Sequence, residues 1–177
     1  YNGEIYGWEE DAEYLRNNGV VFRTHSDTEF ILHAYNFWGL DGLLKRLRGM
    51  FAIAILDWKQ KKVWPIRDRL GLKPLIYAHN KNGLAFSSLV RTLIPWLAPK
   101  ERGFSSQAID AFLSHRYIPA PNTIFKNISR LENGHYLEYC IKSNSLEKHC
   151  YWEAPSQSGD YQALLDESIK IRTVSDR

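Results

Sequence analysis

At 177 residues the chain can fill one good core, or one domain and the start of a second, and its 44% hydrophobic and 24% charged content is that of an ordinary globular protein. A net charge of +3, with Lys and Arg scattered rather than striped, is too small to imply nucleic acid, and no apolar run approaches the eighteen residues of a membrane span. Six Trp and ten Tyr read as half-buried positions of a β-rich core rather than as a ligand cage.

Two cysteines, Cys140 and Cys150, show no CxxC or Cys/His spacing suited to a metal. They fall on two adjacent predicted strands, which leaves a cross-strand disulfide geometrically open. With no signal peptide, the expectation is a cytoplasmic chain with free thiols.

In chain order, Trp8, Ala12 and Leu15 lie at i, i+4 and i+7, predicting a helix that Gly19 ends. Val20–Arg23 reads as a short strand. Ser26-Asp27-Thr28-Glu29 has the form of a capping box before a helix that buries Phe30, Ile31, Ala34, Tyr35 and Trp38. A short amphipathic piece, Asp41–Leu47, follows. "MFAIAIL", Met50–Leu56, suits a strand covered on both faces. Lys59–Lys62 is a solvated turn, and Pro65 places the next strand, Val63–Ile66, at an edge or a bulge.

Arg67–Pro74 is a loop and Leu75–Ala78 a strand, turned by Asn80-Lys81-Asn82-Gly83 into Leu84–Ser87. Leu89–Trp96 is a short helix. Ser105 or Ser106 caps another, carrying Ala108, Ile109, Phe112 and Leu113. Pro119 and Pro121 break the chain. His135–Ile141 and Leu146–Trp152 form an antiparallel pair joined at Ser143-Asn144. Glu153–Asp160, "EAPSQSGD", reads as a linker, and Tyr161, Leu164, Leu165 and Ile169 mark a last amphipathic helix. Strands, hairpins and covering helices together predict a layered α+β domain.

On the residues alone, Asn2-Gly3 is a hairpin turn. Its setting argues otherwise. "YNGEIYGWEEDAEYL", "FRTHSDTEFILHAY", "LRGMFAIAILD", "RDRLGLKPLIY", "HRYIPAPNTIF" and "LENGHYLEY" follow one another in an order that resembles the glutamine-hydrolysing asparagine synthetases. Asn-Gly-Glu and Ser-Asp-Thr-Glu alone would suit any class II glutamine amidotransferase. The resemblance implies an Ntn-hydrolase αββα sandwich of antiparallel sheets, incomplete at its N-terminus. It divides the chain into a partial glutaminase domain at 1–152, a linker at 153–160 and the first helix of a synthetase domain at 161–177.

The resemblance also implies roles. An N-terminal Cys, with its α-amine as base, attacks the glutamine amide. The Asn2 side-chain NH₂ and the Gly3 backbone N–H would stabilise the oxyanion, each such donor being worth roughly 3–4 kcal/mol of barrier. Glu4 would lie at the substrate, and Asp27 would pair with its α-ammonium. On the bland reading, Ser26–Glu29 is only a helix cap, and the two readings are compatible. Arg48-Gly49 and the Arg67–Pro74 loop would lie near the site, but a loop that shapes the sandwich explains most of them. Arg67 is left free to pair with Asp68 or with another acid. His115 and His135 read as structural.

By the same resemblance the nucleophile and the arginine for the α-carboxylate come before Asn2. Tyr1, Cys140 and Cys150 do not replace that nucleophile, so the chain alone is expected to be inactive. Three departures stand out: Leu89 where Glu is usual, Pro65 within a strand, and Arg177 where a small apolar residue is usual. No phosphate-cradling glycine loop is present. No cofactor is therefore expected on this chain, with ATP and Mg²⁺ implied only for the synthetase domain. L-glutamine and that domain are the expected partners, without nucleic acid or membrane, and a homodimer is left open. Two alternatives remain: a non-catalytic glutamine-binding or interaction module, and an amidotransferase with a different acceptor.

Overall fold

A computed structural model describes residues 1–154 and 160–173. Residues 155–159 of the expected linker, and the Val174–Arg177 ending with the Arg177 departure, lie outside the described residues. Strand β1 (Asn2–Ile5) leads to helices α1 (Glu9–Asn17) and α2 (Asp27–Arg46). Strands β2 (Gly49–Asp57), β3 (Lys62–Arg67), β4 (Ile76–Asn80) and β5 (Gly83–Ser87) come next. Helices α3 (Val90–Leu93) and α4 (Ser106–His115) precede strands β6 (Ser129–Arg130), β7 (His135–Cys140) and β8 (Ser145–Cys150), and α5 (Tyr161–Thr173) follows. The chain divides into two compact units, Tyr1–Gly3 with Met50–Trp152, and Glu4–Gly49 with Glu153–Arg177.

The first unit is built on two sheets, of order β1-β2-β3-β7-β8 and β5-β4-β6. Leu75, Leu131 and Leu137 are buried together against Ala52, Tyr77 and Leu146, so side chains from both sheets share one core. The period of two along β4 turns Ile76 and Ala78 the other way, onto Leu93, Leu97 and Ile128. There α3 and the turn of 3₁₀-helix at Ile94–Trp96 form a helical layer.

Strand β2 differs from its expectation of burial on both faces. Phe51, Ile53 and Ile55 are buried, but Ala54 and Leu56 are exposed. A wholly apolar run cannot display this alternation in its composition. The expectation that Pro65 marks an edge or a bulge is also corrected: β3 is the middle strand of five, and its register with β7 is the same before and after Pro65. Its pairs to β7 run Lys62–Cys140, Val63–Tyr139 and Ile66–Tyr136, stepping over Trp64 and Pro65. The ladder thus gives way where proline has no N–H to donate.

The helix at α4 forms as expected, with Ser105 Oγ accepting from Ala108 N–H at 3.2 Å. Of its apolar positions, Ala108 is buried and Ile109, Phe112 and Leu113 are exposed. Cys140 and Cys150 do lie on adjacent strands, but Cys140 pairs with Ser145 and Cys150 with His135, at opposite ends of the hairpin. About five residues at roughly 3.4 Å each separate them, far beyond disulfide reach, and neither cysteine forms a disulfide.

In the second unit, Ala12 and Leu15 of α1 are buried with Phe30, Ile31 and Ala34 of α2. Trp8 meets Phe30 at 5.5 Å between ring centroids, and Tyr14 stacks on Trp38 at 5.9 Å. Helix α2 is broken at Gly39, whose φ of 71° is open to glycine at little cost, and this separates the long helix from the Asp41–Leu47 piece. The expected strand at Val20–Arg23 does not form. The Arg23 and Thr24 N–H groups donate to the Glu29 carboxylate at 2.8 and 2.6 Å, which leaves them no ladder to join.

Candidate functional site

The four residues singled out in the sequence fall two to each unit. In the second unit, Ser26 caps α2, its Oγ accepting from Thr28 and Glu29 N–H at 3.1 and 3.4 Å. Only half of the expected capping box forms, because Glu29 turns its carboxylate onto Arg23 and Thr24. The Thr24 hydroxyl, at 2.6 Å, is the main cause that lowers the Glu29 carboxyl from its ordinary 4.5 to about 2, followed by the Arg23 N–H. His33 Nε2 lies 3.3 Å from the same carboxylate.

This braced loop delivers Asp27 at the first position of α2. Its Oδ2 accepts the Ile5 N–H at 3.2 Å, tying the helix start to the end of β1. Asp27 and Glu4 then share the wall of a cavity of about 380 Å³, with Tyr6 and Trp8 beside them and Glu167 and Lys170 of α5 across from them. Burial first, and the Glu4 charge second, push the Tyr6 phenol up, while Arg172 works against both. Arg172 lies over the Tyr6 ring at 5.4 Å, and Arg48 Nη1 meets Glu167 Oε1 at 2.7 Å. A cavity of this size, with an apolar lining and a few convergent charges, suits a small polar ligand.

In the first unit, Asn2 lines a separate cavity of about 310 Å³ with Ala52, Ile53, Ala54, Leu75 and Phe86. Gly3 sits so close to β2 that a Cβ there would lie 2.1 Å from the Met50 carbonyl oxygen and 2.6 Å from the Phe51 Cα. Its identity therefore has a packing cause that needs no ligand.

The Arg67–Pro74 loop is an internal brace. Asp68, with no exposed surface, accepts N–H groups from Phe51, Leu70, Leu72 and Lys73 at 2.9–3.3 Å. The Arg67 guanidinium, which the sequence left free to pair with an acid, donates instead to three carbonyls, of Lys73, Leu131 and Gly71. Burial pushes its pKa down. His135 Nδ1 donates to the Asn133 carbonyl at 2.8 Å. Leu89 precedes α3 with its N–H on Ser87 Oγ.

Sequence reasoning missed Tyr6, Trp8, Glu167 and Lys170 as cavity residues. The adjacency of Glu4-Ile5-Tyr6-Gly7-Trp8 was a signal for the first two, but nothing local marks the residues of α5. Among the described residues no group of three or more His, Cys, Asp or Glu could hold a metal, and no helix is long and apolar enough to cross a membrane.

Comparisons with known proteins bear on this geometry. The family described as "Glutamine amidotransferase domain" matches residues 1–152. A Methanocaldococcus jannaschii protein, provisionally named a glutamine-hydrolyzing asparagine synthetase, is 34% identical over 189 residues, covering 99% of this chain and 35% of that protein. The glutamine-hydrolyzing asparagine synthetase 2 of Bacillus subtilis is 36% identical over 155 residues, covering 85% of this chain and 20% of that one. The chain thus spans about a third or less of these relatives.

Among solved structures, a glutamine phosphoribosylpyrophosphate amidotransferase from B. subtilis matches with a TM-score of 0.56 at 17% identity, over 86% of this chain and 28% of that one. The allosteric regulatory enzyme of purine biosynthesis matches at 0.57 and 18%, over 89% and 29%. At such identity the likeness is one of fold, an Ntn-type α+β arrangement with antiparallel sheets.

Proposed function

The chain belongs to the glutamine amidotransferase domain family, and from that membership we propose that it is the glutamine-handling part of a glutamine-hydrolysing asparagine synthetase. Asp27 takes the substrate's α-ammonium and Glu4 flanks it. The Asn2 side-chain NH₂ and the Gly3 N–H, two residues and one residue ahead of Glu4 in the chain, donate to the oxyanion formed as the carboxamide is attacked. The nucleophile is assigned to no residue of this chain, since Cys140 and Cys150 lie within the β7–β8 hairpin. The released ammonia would amidate aspartate at the expense of ATP, with Mg²⁺, in a synthetase domain. Neither cofactor is assigned to residues described here.

The observation that carries this reading is the shared cavity of Glu4 and Asp27, with the Asp27 carboxylate held by the Ile5 N–H. Calorimetric titration of the chain with L-glutamine tests it. Binding is expected, weakened at least about tenfold in Asp27→Ala, because a charge-assisted contact is lost. No binding, or equal binding by the variant, overturns the reading. The amidation step is tested on a longer polypeptide containing these residues, which should form asparagine and glutamate in equal amounts from glutamine, aspartate and ATP.

A further inference from the structure

We infer that Glu29 is a positioning residue for the Asp27 carboxylate, one that sets how tightly the cavity holds an α-ammonium without touching the ligand. The inference rests on the reading of the Glu4–Asp27 cavity as an amino-acid site. Asp27 lines that cavity and Glu29 does not. Asp27 is the first residue of α2, so the direction of its side chain follows the course of the chain into the helix. Two long hydrogen bonds reach it: Oδ2 accepts the Ile5 N–H at 3.2 Å and Oδ1 accepts the Thr28 hydroxyl at 3.4 Å.

Glu29 fixes the course of the chain on both sides of Asp27. Its carboxylate takes the Arg23 N–H at 2.8 Å, and the Thr24 N–H and hydroxyl at 2.6 Å each. Its own N–H goes to Ser26 Oγ at 3.4 Å. Residues 23–29 are thereby closed on themselves, with Asp27 inside the closed segment. Glu29 is held in turn. His33 Nε2, one helical turn on, lies 3.3 Å from its carboxylate. The His33 ring rests on Phe22 at 4.7 Å between centroids, and the Arg16 guanidinium covers Phe22 at 4.6 Å. The brace therefore runs from the last turn of α1 to the first turn of α2. A carboxylate fixed before binding spares the ligand the entropic cost of ordering its loop. The Thr24 hydroxyl first, and the Arg23 N–H next, hold the Glu29 carboxyl at about 2, so the ionised form is the one that braces the loop.

Two probes isolate the ammonium: L-glutamine, and glutaramate, its deamino analogue, which keeps the carboxylate and the carboxamide. By calorimetric titration, the unmodified chain is expected to bind L-glutamine about tenfold more tightly than glutaramate. Glu29→Ala should lose about fivefold for L-glutamine and leave glutaramate unchanged, because the loss acts through Asp27. Thr24→Val, which removes only the hydroxyl bond, should lose in the same direction by a smaller factor. On an Asp27→Ala background, Glu29→Ala should change nothing further, as expected of residues that act as one unit. Should Glu29→Ala fail to fold, Thr24→Val decides by the same comparison. A loss shared equally by the two probes would make Glu29 a structural residue and overturn the inference alone. Unchanged L-glutamine affinity in both single variants, or a further loss on top of Asp27→Ala, would do the same. If the unmodified chain binds neither probe, or binds both alike, the amino-acid site falls and this inference with it.

Discussion

The packing of Gly3 and the oxyanion role proposed for it call for the same residue type. The proposed role asks for a backbone N–H with unobstructed approach. The packing against β2 leaves no room for a Cβ, with the Met50 carbonyl oxygen 2.1 Å from where it would stand and φ at 151°. Gly3→Ala must push β1 away from β2, an overpacking cost of about 3 kcal/mol, read by urea denaturation of the chain. A change below about 0.5 kcal/mol, the range of an inconsequential surface substitution, would sink the strand-spacing argument. Loss of function in such a variant would consequently not isolate the oxyanion contribution. Asn2 is the cleaner test of that role.

The N-terminal turn of α2 holds a carboxyl whose protonation acts on the loop that leads to Asp27. The Glu29 carboxyl is held at about 2 against its ordinary 4.5, chiefly by the Thr24 hydroxyl and then by the Arg23 N–H. A carboxyl lowered on folding adds stability above its unfolded value, and that stability is lost as pH falls through the folded one. The loop from Arg23 to Asp27 should therefore be fully ordered above about pH 4.5 and loosen progressively towards pH 2. Amide hydrogen exchange at Arg23 and Thr24 reads this directly. In Glu29→Gln the two amides should exchange faster at neutral pH and lose most of their acid dependence. Exchange that is slow and unchanged in the variant would show that other contacts hold the loop.

At the scale of the whole molecule, no disulfide reinforces the fold among the described residues. The two cysteines sit at opposite ends of the β7–β8 hairpin, so the melting temperature should be the same with and without reductant. Alkylation of the unfolded chain should add two labels without prior reduction. The Ser143 hydroxyl lowers the Cys140 thiol, which should let Cys140 react at a lower pH than an ordinary thiol. Reductant-dependent melting would mean that the hairpin register is different.

What the sequence by itself determined was local and periodic. Helices at Glu9–Asn17 and Ser106–His115, the Asn80–Gly83 hairpin and the Ser26 cap were legible because spacing and capping chemistry act within a few residues. The six ordered motifs carried the family. What only the tertiary structure decided was what each face meets. Pro65 reads as an edge residue, yet it lies in the central strand, because the ladder to β7 steps over it. Spacing left Arg67 to pair with Asp68 or with another acid, yet each of the two is satisfied by backbone groups: carbonyls from as far as Leu131 for Arg67, and N–H groups from Phe51 to Lys73 for Asp68. Val20–Arg23 has strand-like residues, but the Val20 N–H goes to the Leu15 carbonyl and the Arg23 N–H to the Glu29 carboxylate. Lys170 has no local signal at all, since its place on the cavity wall depends on contacts to residues more than a hundred positions away. Such partners are chosen by burial and by hydrogen-bond competition across the folded chain, which a window of neighbouring residues does not contain.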